Sequence, residues 1–182
     1  AQGEPLIRLF LGEQWRGAVP IFQVLTLGGV FQVVAYATYW VFLSLGLMRA
    51  QLIYSVIARA LLIVCILVGS HWGALGVAIG YALGLALMWP MSVIWVTRVG
   101  QAPGRAMFNN GLRALVGYGL CGAGSWAAAR HWAQTPVLEL AIGFVTIVLA
   151  FGLVCLLWPA FRRDVATILS SRELLRRRGS AA

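Results

Sequence analysis

The 182-residue chain is 61% hydrophobic and only 10% charged, with a formal net charge of +9. Soluble domains carry about a quarter charged residues and about half apolar ones, so the composition argues against a soluble enzyme and for a chain solvated by a bilayer. Every basic residue is arginine, and the arginines lie between and after apolar stretches. That placement argues against a nucleic-acid surface and marks the cytoplasmic flanks of membrane spans.

The opening AQGEPLIRLF has no initiator methionine, basic n-region or small-residue cleavage site. It does not read as a signal peptide; it reads as the start of the C-terminal piece of a longer polypeptide. Residues 1–17 are expected to hold the end of a preceding helix and an outside loop built on Gly12-Glu13-Gln14-Trp15-Arg16. A helix needs about 20 apolar residues to cross a hydrocarbon core of roughly 30 Å. Five segments meet that length, at about 18–46, 50–70, 74–96, 112–129 and 137–158. Their continuous apolarity favours helices over an alternating barrel. The predicted fold is therefore all-α, a polytopic transmembrane helix bundle over 18–158, followed by a basic tail over 159–182.

Turn chemistry separates the spans. Ser70-His71-Trp72-Gly73 links the second to the third, and Gly100-Gln101-Ala102-Pro103-Gly104 follows the third. Thr135 and Pro136 suit the N-cap and first position of the last span, with Glu139 in its first turn, where the helix dipole favours negative charge; a proton-relay role for Glu139 is the other reading. The tail places Phe161, Val165, Ile168, Leu169 and Leu175 roughly on one face. It reads as an interfacial amphipathic helix drawn to anionic lipid, or else as a solvated basic tail. With the C-terminus inside, the inside arginines are Arg49, Arg98, Arg105, Arg113, Arg162, Arg163, Arg172, Arg176, Arg177 and Arg178, against Arg8, Arg16 and Arg130 outside. This ten-to-three bias places the C-terminus in the cytoplasm and the Trp15 loop outside.

Polar residues inside the spans are the candidate site. On the first span Gly29, Gln32, Tyr36 and Tyr39 share a helix face, and on the second Gln51, Ser55 and Arg59 recur every four residues. Arg59 stands alone near mid-span, where a charge costs about 2.5–3.5 kcal/mol on insertion scales. Its partner could be a carboxylate elsewhere in a longer protein, backbone carbonyls and water, or an anionic ligand. The hypothesis from the sequence is a hydrated cavity in which Arg59, helped by Gln32, Tyr36 and Tyr39, meets a phosphate or diphosphate. Gly76, Gly80 and Gly84 form a small-residue face for close helix packing, as do Gly117, Cys121, Ser125 and Ala129. Pro90 is expected to kink the third span near Trp89.

Enzyme motifs are missing: the sequence has no HExxH, GxSxG, P-loop or paired-carboxylate site. His71 and His131 stand beside Trp72 and Trp132 at span ends, as interfacial residues do. Cys65, Cys121 and Cys155 lie in apolar runs without CxxC spacing. No metal, cofactor or catalytic residue is expected.

The stretch PLIRLFLGEQWRGAVPIFQVLTLGGVFQ, Pro5 to Gln32, resembles the segment entering the second half of polysaccharide and O-antigen flippases of the multidrug/oligosaccharidyl-lipid/polysaccharide exporter superfamily. Gly73-Ala74-Leu75-Gly76-Val77-Ala78 is similar to that family's G-x-x-G-V-A start of a following helix. The resemblance implies about five spans of the C-terminal lobe of a two-lobe transporter, with the N-terminal lobe of the same protein missing from this chain. It implies flipping of a lipid-linked diphosphate oligosaccharide across the bacterial inner membrane, for lipopolysaccharide O-antigen, capsule or exopolysaccharide synthesis. Competing readings are a membrane ligase or polymerase acting on lipid-linked sugars, a cation-coupled drug exporter of the same superfamily, and a structural subunit without cargo. The family supplies no binding motif that transfers to this chain, so Arg59 rests on its own argument.

Overall fold

In the computed structural model, which describes residues 3–132 and 136–157, every element is helical. Helix α1 (Gly3–Phe10) is followed by a 3₁₀ segment (Glu13–Ala18), then α2 (Val19–Ser44), α3 (Met48–Ser70), α4 (Gly73–Gly100), α5 (Gly104–Trp132) and α6 (Pro136–Leu157). The chain divides within α5 into two units, one of them 2–116.

The 3₁₀ segment is the polar knot of the sequence. Arg8 closes on Glu13 at 2.7 Å, and Arg16 lies 3.7 Å from Glu13 and 3.9 Å from Glu4. These exposed pairs fix the geometry of the knot more than its energy, since such bridges are worth about 0–1 kcal/mol each. Pro20 sits in the first turn of α2, where its missing N–H costs no hydrogen bond. The same helix ends in a paired-bond turn: Gly46 N–H donates to Leu43 O at 3.1 Å and Leu47 N–H to Phe42 O at 3.0 Å. That C-terminal motif needs a left-handed residue, and Gly46 supplies it with φ 67°.

Three helices of the described residues are long and apolar enough to cross a bilayer: the 3₁₀ segment with α2 (Glu13–Ser44), α3 and α4. The protein is an all-α helical bundle of the multi-pass membrane kind. The expected span over 112–129 lies within the longer helix α5, whose first half carries Arg105, Asn109, Asn110 and Arg113. In α6 the described apolar stretch is shorter, Leu138–Leu153. The 159–182 tail and Thr135 lie outside the described residues.

In the first unit α4 is the central helix. It packs on both α2 and α3, which barely touch each other. Glycine makes this possible. A Cβ on Gly76 would run into the Gly69 carbonyl, one on Gly80 into the Cys65 carbonyl, and one on Gly84 would meet Leu62 Cδ1 at 2.6 Å. The backbones of α3 and α4 are therefore in near contact, which lipid-solvated helices use in place of hydrophobic burial. On the opposite side Gly28 of α2 lies against Ala82. Phe42, Val96 and Ala102 form a buried cluster at the end of the bundle that carries the α2–α3 turn, and Tyr54, Ala58, Leu62, Leu85 and Met88 form another between α3 and α4. Helix α4 continues through Pro90. Ser92 Oγ donates to the Trp89 carbonyl at 2.7 Å, close by the proline.

In the other unit, Cys121, Ser125 and Ala129 of the predicted small face are buried. Ser125 Oγ donates to the Gly143 carbonyl of α6 at 2.7 Å, and the Tyr118 and Phe151 rings stack at 5.9 Å.

Candidate functional site

Because α2 and α3 both lean on α4 and touch each other only near their shared turn, where Phe42 meets Tyr54, a cleft opens between them. Short connections at 45–47 and 71–72 make the three helices successive antiparallel neighbours. The cleft has a volume of about 290 Å³. Its α2 wall carries Gln32, Tyr36, Thr38 and Tyr39; its α3 wall carries Gln51, Tyr54, Ser55 and Arg59; its α4 floor is Tyr81, Leu85, Met88 and Ser92.

All four residues selected from the sequence, Gln32, Tyr36, Tyr39 and Arg59, line this one cleft. Gly29, on the same predicted stripe, is not part of the lining. Gly76, Gly80 and Gly84 sit against α3, as described above, and not in the cleft.

The depth of the site follows from helix rise. Arg59 lies roughly 16 Å along α3 from Met48 at about 1.5 Å per residue, near the middle of the helix. Gln32 stands near the middle of α2. Tyr36 and Ser55, then Tyr39 and Gln51, continue the polar lining toward the α2–α3 turn. Tyr36 and Tyr39 are 55% and 40% exposed, and Arg59 is exposed too, so these groups present open polar surface. From Gln14 to Leu138 the sequence has no carboxylate. Among the described residues Arg59 makes no ion pair.

Tyr54 and Ser92 are tied to the scaffold, whereas Gln51 Oε1 is buried without a hydrogen-bond partner among the described residues. Tyr54 Oη donates to the Met88 carbonyl at 2.8 Å, joining α3 to α4. The Tyr54 ring also stacks on Phe42 with centroids 6.2 Å apart. Gln51 Nε2 reaches Ser55 Oγ at 3.3 Å. Thr38 is almost fully buried.

Tyr54, Tyr81, Thr38 and Ser92 were not selected from the sequence. Part of the signal is in the sequence: Tyr81, Leu85, Met88 and Ser92 recur at helical spacing on α4, beside the stronger glycine pattern of that span.

Chemically, the cleft offers one guanidinium fork, the amides of Gln32 and Gln51, and phenol hydroxyls. Such a set binds an anion or a polyhydroxylated group through charge-assisted hydrogen bonds. It holds no nucleophile–base pair, and no group of three or more His, Cys, Asp or Glu side chains gathers among the described residues. No family model, curated protein or solved structure matches the chain.

Proposed function

We propose that this chain belongs to a translocator that moves a lipid-linked oligosaccharide across the bacterial inner membrane, and that the cleft between α2 and α3 receives the phosphate end of the cargo. One observation carries the reading: Arg59, Gln32, Tyr36 and Tyr39 line one cleft that runs from the middle of the bundle toward the α2–α3 turn, with no carboxylate among the residues between Glu13 and Glu139 to neutralise the guanidinium. An arginine held there against a cost of about 2.5–3.5 kcal/mol needs an anionic visitor or water to offset it. A diphosphate suits it through paired hydrogen bonds to the guanidinium fork. The mobile cargo is a lipid, so its phosphate enters from within the bilayer, and a cleft open between two helices suits that path.

In this proposal the helices form one lobe of a two-lobe, alternating-access carrier, and the cleft faces the other lobe. The resemblance of Pro5–Gln32 and Gly73–Ala78 to polysaccharide flippases supports that arrangement and the surface-polysaccharide role. The arginine bias supports a cytoplasmic C-terminus. The activity is transport, not catalysis.

Depletion of the protein in its host should leave the lipid-linked oligosaccharide in the inner leaflet, out of reach of a membrane-impermeant sugar-binding probe. Arg59→Ala should reproduce that block at normal protein levels, and Arg59→Lys should restore only part of the activity, since a point charge lacks the fork. Full translocation by both variants overturns the role of Arg59. Unchanged leaflet distribution on depletion overturns the function.

A further inference from the structure

A second cavity lies on the other side of α4. Residues Tyr81, Leu85, Met88 and Ser92 face the α2–α3 cleft, whereas Pro90, Ile94 and Arg98 lie about half a turn around the same helix. There the end of α4 and the start of α5 border an open groove of about 350 Å³, lined by Pro90, Ile94, Phe108, Arg98, Arg105 and Asn109 among others. The two helices meet closely at this end, because Gly104 is pressed against the Thr97 side chain. The Phe108 ring stacks on Trp89 at 4.9 Å, which fixes the α5 wall.

The cavity is graded along the bilayer normal. Arg98 is in the last turn of α4 and Arg105 is in the first turn of α5, at one membrane edge. The α2–α3 turn is at that same edge, since a Cβ on Gly100 would meet Leu47 and Leu45. Ile94 and Pro90 lie roughly 6 and 12 Å deeper than Arg98 at about 1.5 Å per residue, toward the hydrocarbon. The wall is thus cationic at the bundle end and mostly apolar below, with the Asn109 amide roughly 6 Å below Arg105 at about 1.5 Å per residue.

Charge is distributed unevenly between the two edges. Glu4 and Glu13 are paired with Arg8 and Arg16 beside the start of α2. The opposite edge holds Arg49, Arg98 and Arg105, and no carboxylate occurs between Glu13 and Glu139. Among the described residues Arg98 and Arg105 make no ion pair. Two unpaired guanidinia over an apolar slot complement a molecule with an anionic head and a hydrocarbon tail.

We propose that this cavity is a binding site for an anionic phospholipid, its phosphate taken by Arg98 and Arg105 with Asn109, and its upper acyl chain lying against Ile94, Pro90 and Phe108. A free phosphate would satisfy the arginines but leave the apolar wall uncovered. The site is independent of the cargo proposed for the α2–α3 cleft and needs only that the bundle sit in a membrane.

The test is native mass spectrometry of the purified full protein in detergent, given equal phosphatidylglycerol and phosphatidylcholine. Wild-type protein should retain phosphatidylglycerol in preference. The Arg98→Ala/Arg105→Ala double variant should lose the preference, while Arg49→Ala, on the same edge but outside the cavity, should keep it. Ile94→Trp, which fills the slot and leaves both charges, should also lose it. Excess inorganic phosphate should not displace the lipid; displacement would make this a free-anion site and overturn the lipid assignment. Equal retention of the two lipids by wild-type protein, or an unchanged preference in the double variant, overturns the proposal. If the double variant loses its helical circular dichroism, Ile94→Trp and the wild-type preference decide.

Discussion

The Tyr54 hydroxyl donates to the carbonyl of Met88 across the α3–α4 contact, at 2.8 Å. It joins the cationic wall of the cleft to its floor two residues before Pro90. A hydrogen bond of this kind contributes about 0.5–1.5 kcal/mol net in water, and measured values inside membrane bundles are similar. Tyr54→Phe keeps the ring that stacks on Phe42 and removes only the donor. It should lower stability by about 1 kcal/mol, read as an earlier midpoint in denaturant or heat. An unchanged midpoint would mean that the bond does not hold the two helices.

The α3–α4 contact depends more on glycine than on any hydrogen bond. Gly76→Leu places a side chain where the Gly69 backbone already is, so the helices must separate along their length. The expected loss is about 1–3 kcal/mol, the range for overpacked interiors, or failure to accumulate in the membrane. Gly29→Ala is the matching control, because nothing stands within 4 Å of its added Cβ. It should be neutral, or stabilising by up to about 1 kcal/mol through helix propensity. Equal behaviour of the two variants would remove close packing as the reason for the glycine face.

Much of this architecture is legible in the sequence because lipid imposes simple rules. Apolar run length fixes the helices, and period 3.6 puts Gln32, Tyr36 and Tyr39 on one face. The cleft follows less directly. That Arg59 of α3 shares it with the α2 stripe depends on α2 and α3 being held apart, which is set by Gly28 against Ala82 and Gly80 against Cys65. Neither contact is encoded by spacing within one helix. The contribution of Tyr54 was hidden for the same reason, since its partner is a backbone carbonyl thirty-four positions away. Helix α5 is longer than its apolar run: Arg105, Asn109 and Asn110 lower its hydropathy, yet they belong to a helix that starts at Gly104.

Gly46 makes a separate test of local conformation. Its φ of 67° is in the left-handed region, and it ends α2 so that α3 can turn back. Any L side chain there costs roughly 1–2 kcal/mol. Gly46→Ala should therefore destabilise by about 1 kcal/mol even though nothing stands within 4 Å of the new Cβ. The signature is strain without a clash, so Gly46→Asn, which tolerates this conformation better, should recover part of the loss in the same unfolding assay.

Water in the α2–α3 cleft can be detected through thiol reactivity. Tyr36 lines it, whereas Val30 lies around the far side of α2, roughly 9 Å along the helix toward its N-terminal end at about 1.5 Å per residue. With Cys65, Cys121 and Cys155 first replaced by alanine, single cysteines can be placed at either position. A thiol reacts as its thiolate, and hydrocarbon suppresses that ionised form. Tyr36→Cys in a hydrated cleft should therefore react with a hydrophilic maleimide in intact membranes, and Val30→Cys should react far more slowly. Adding a soluble diphosphate should slow the Tyr36→Cys reaction if an anion settles beside Arg59, and Arg59→Ala should abolish that protection while leaving the basal reaction in place. A Tyr36→Cys no more reactive than Val30→Cys would mean that the cleft is not hydrated and would overturn a water-accessible anion site at Arg59.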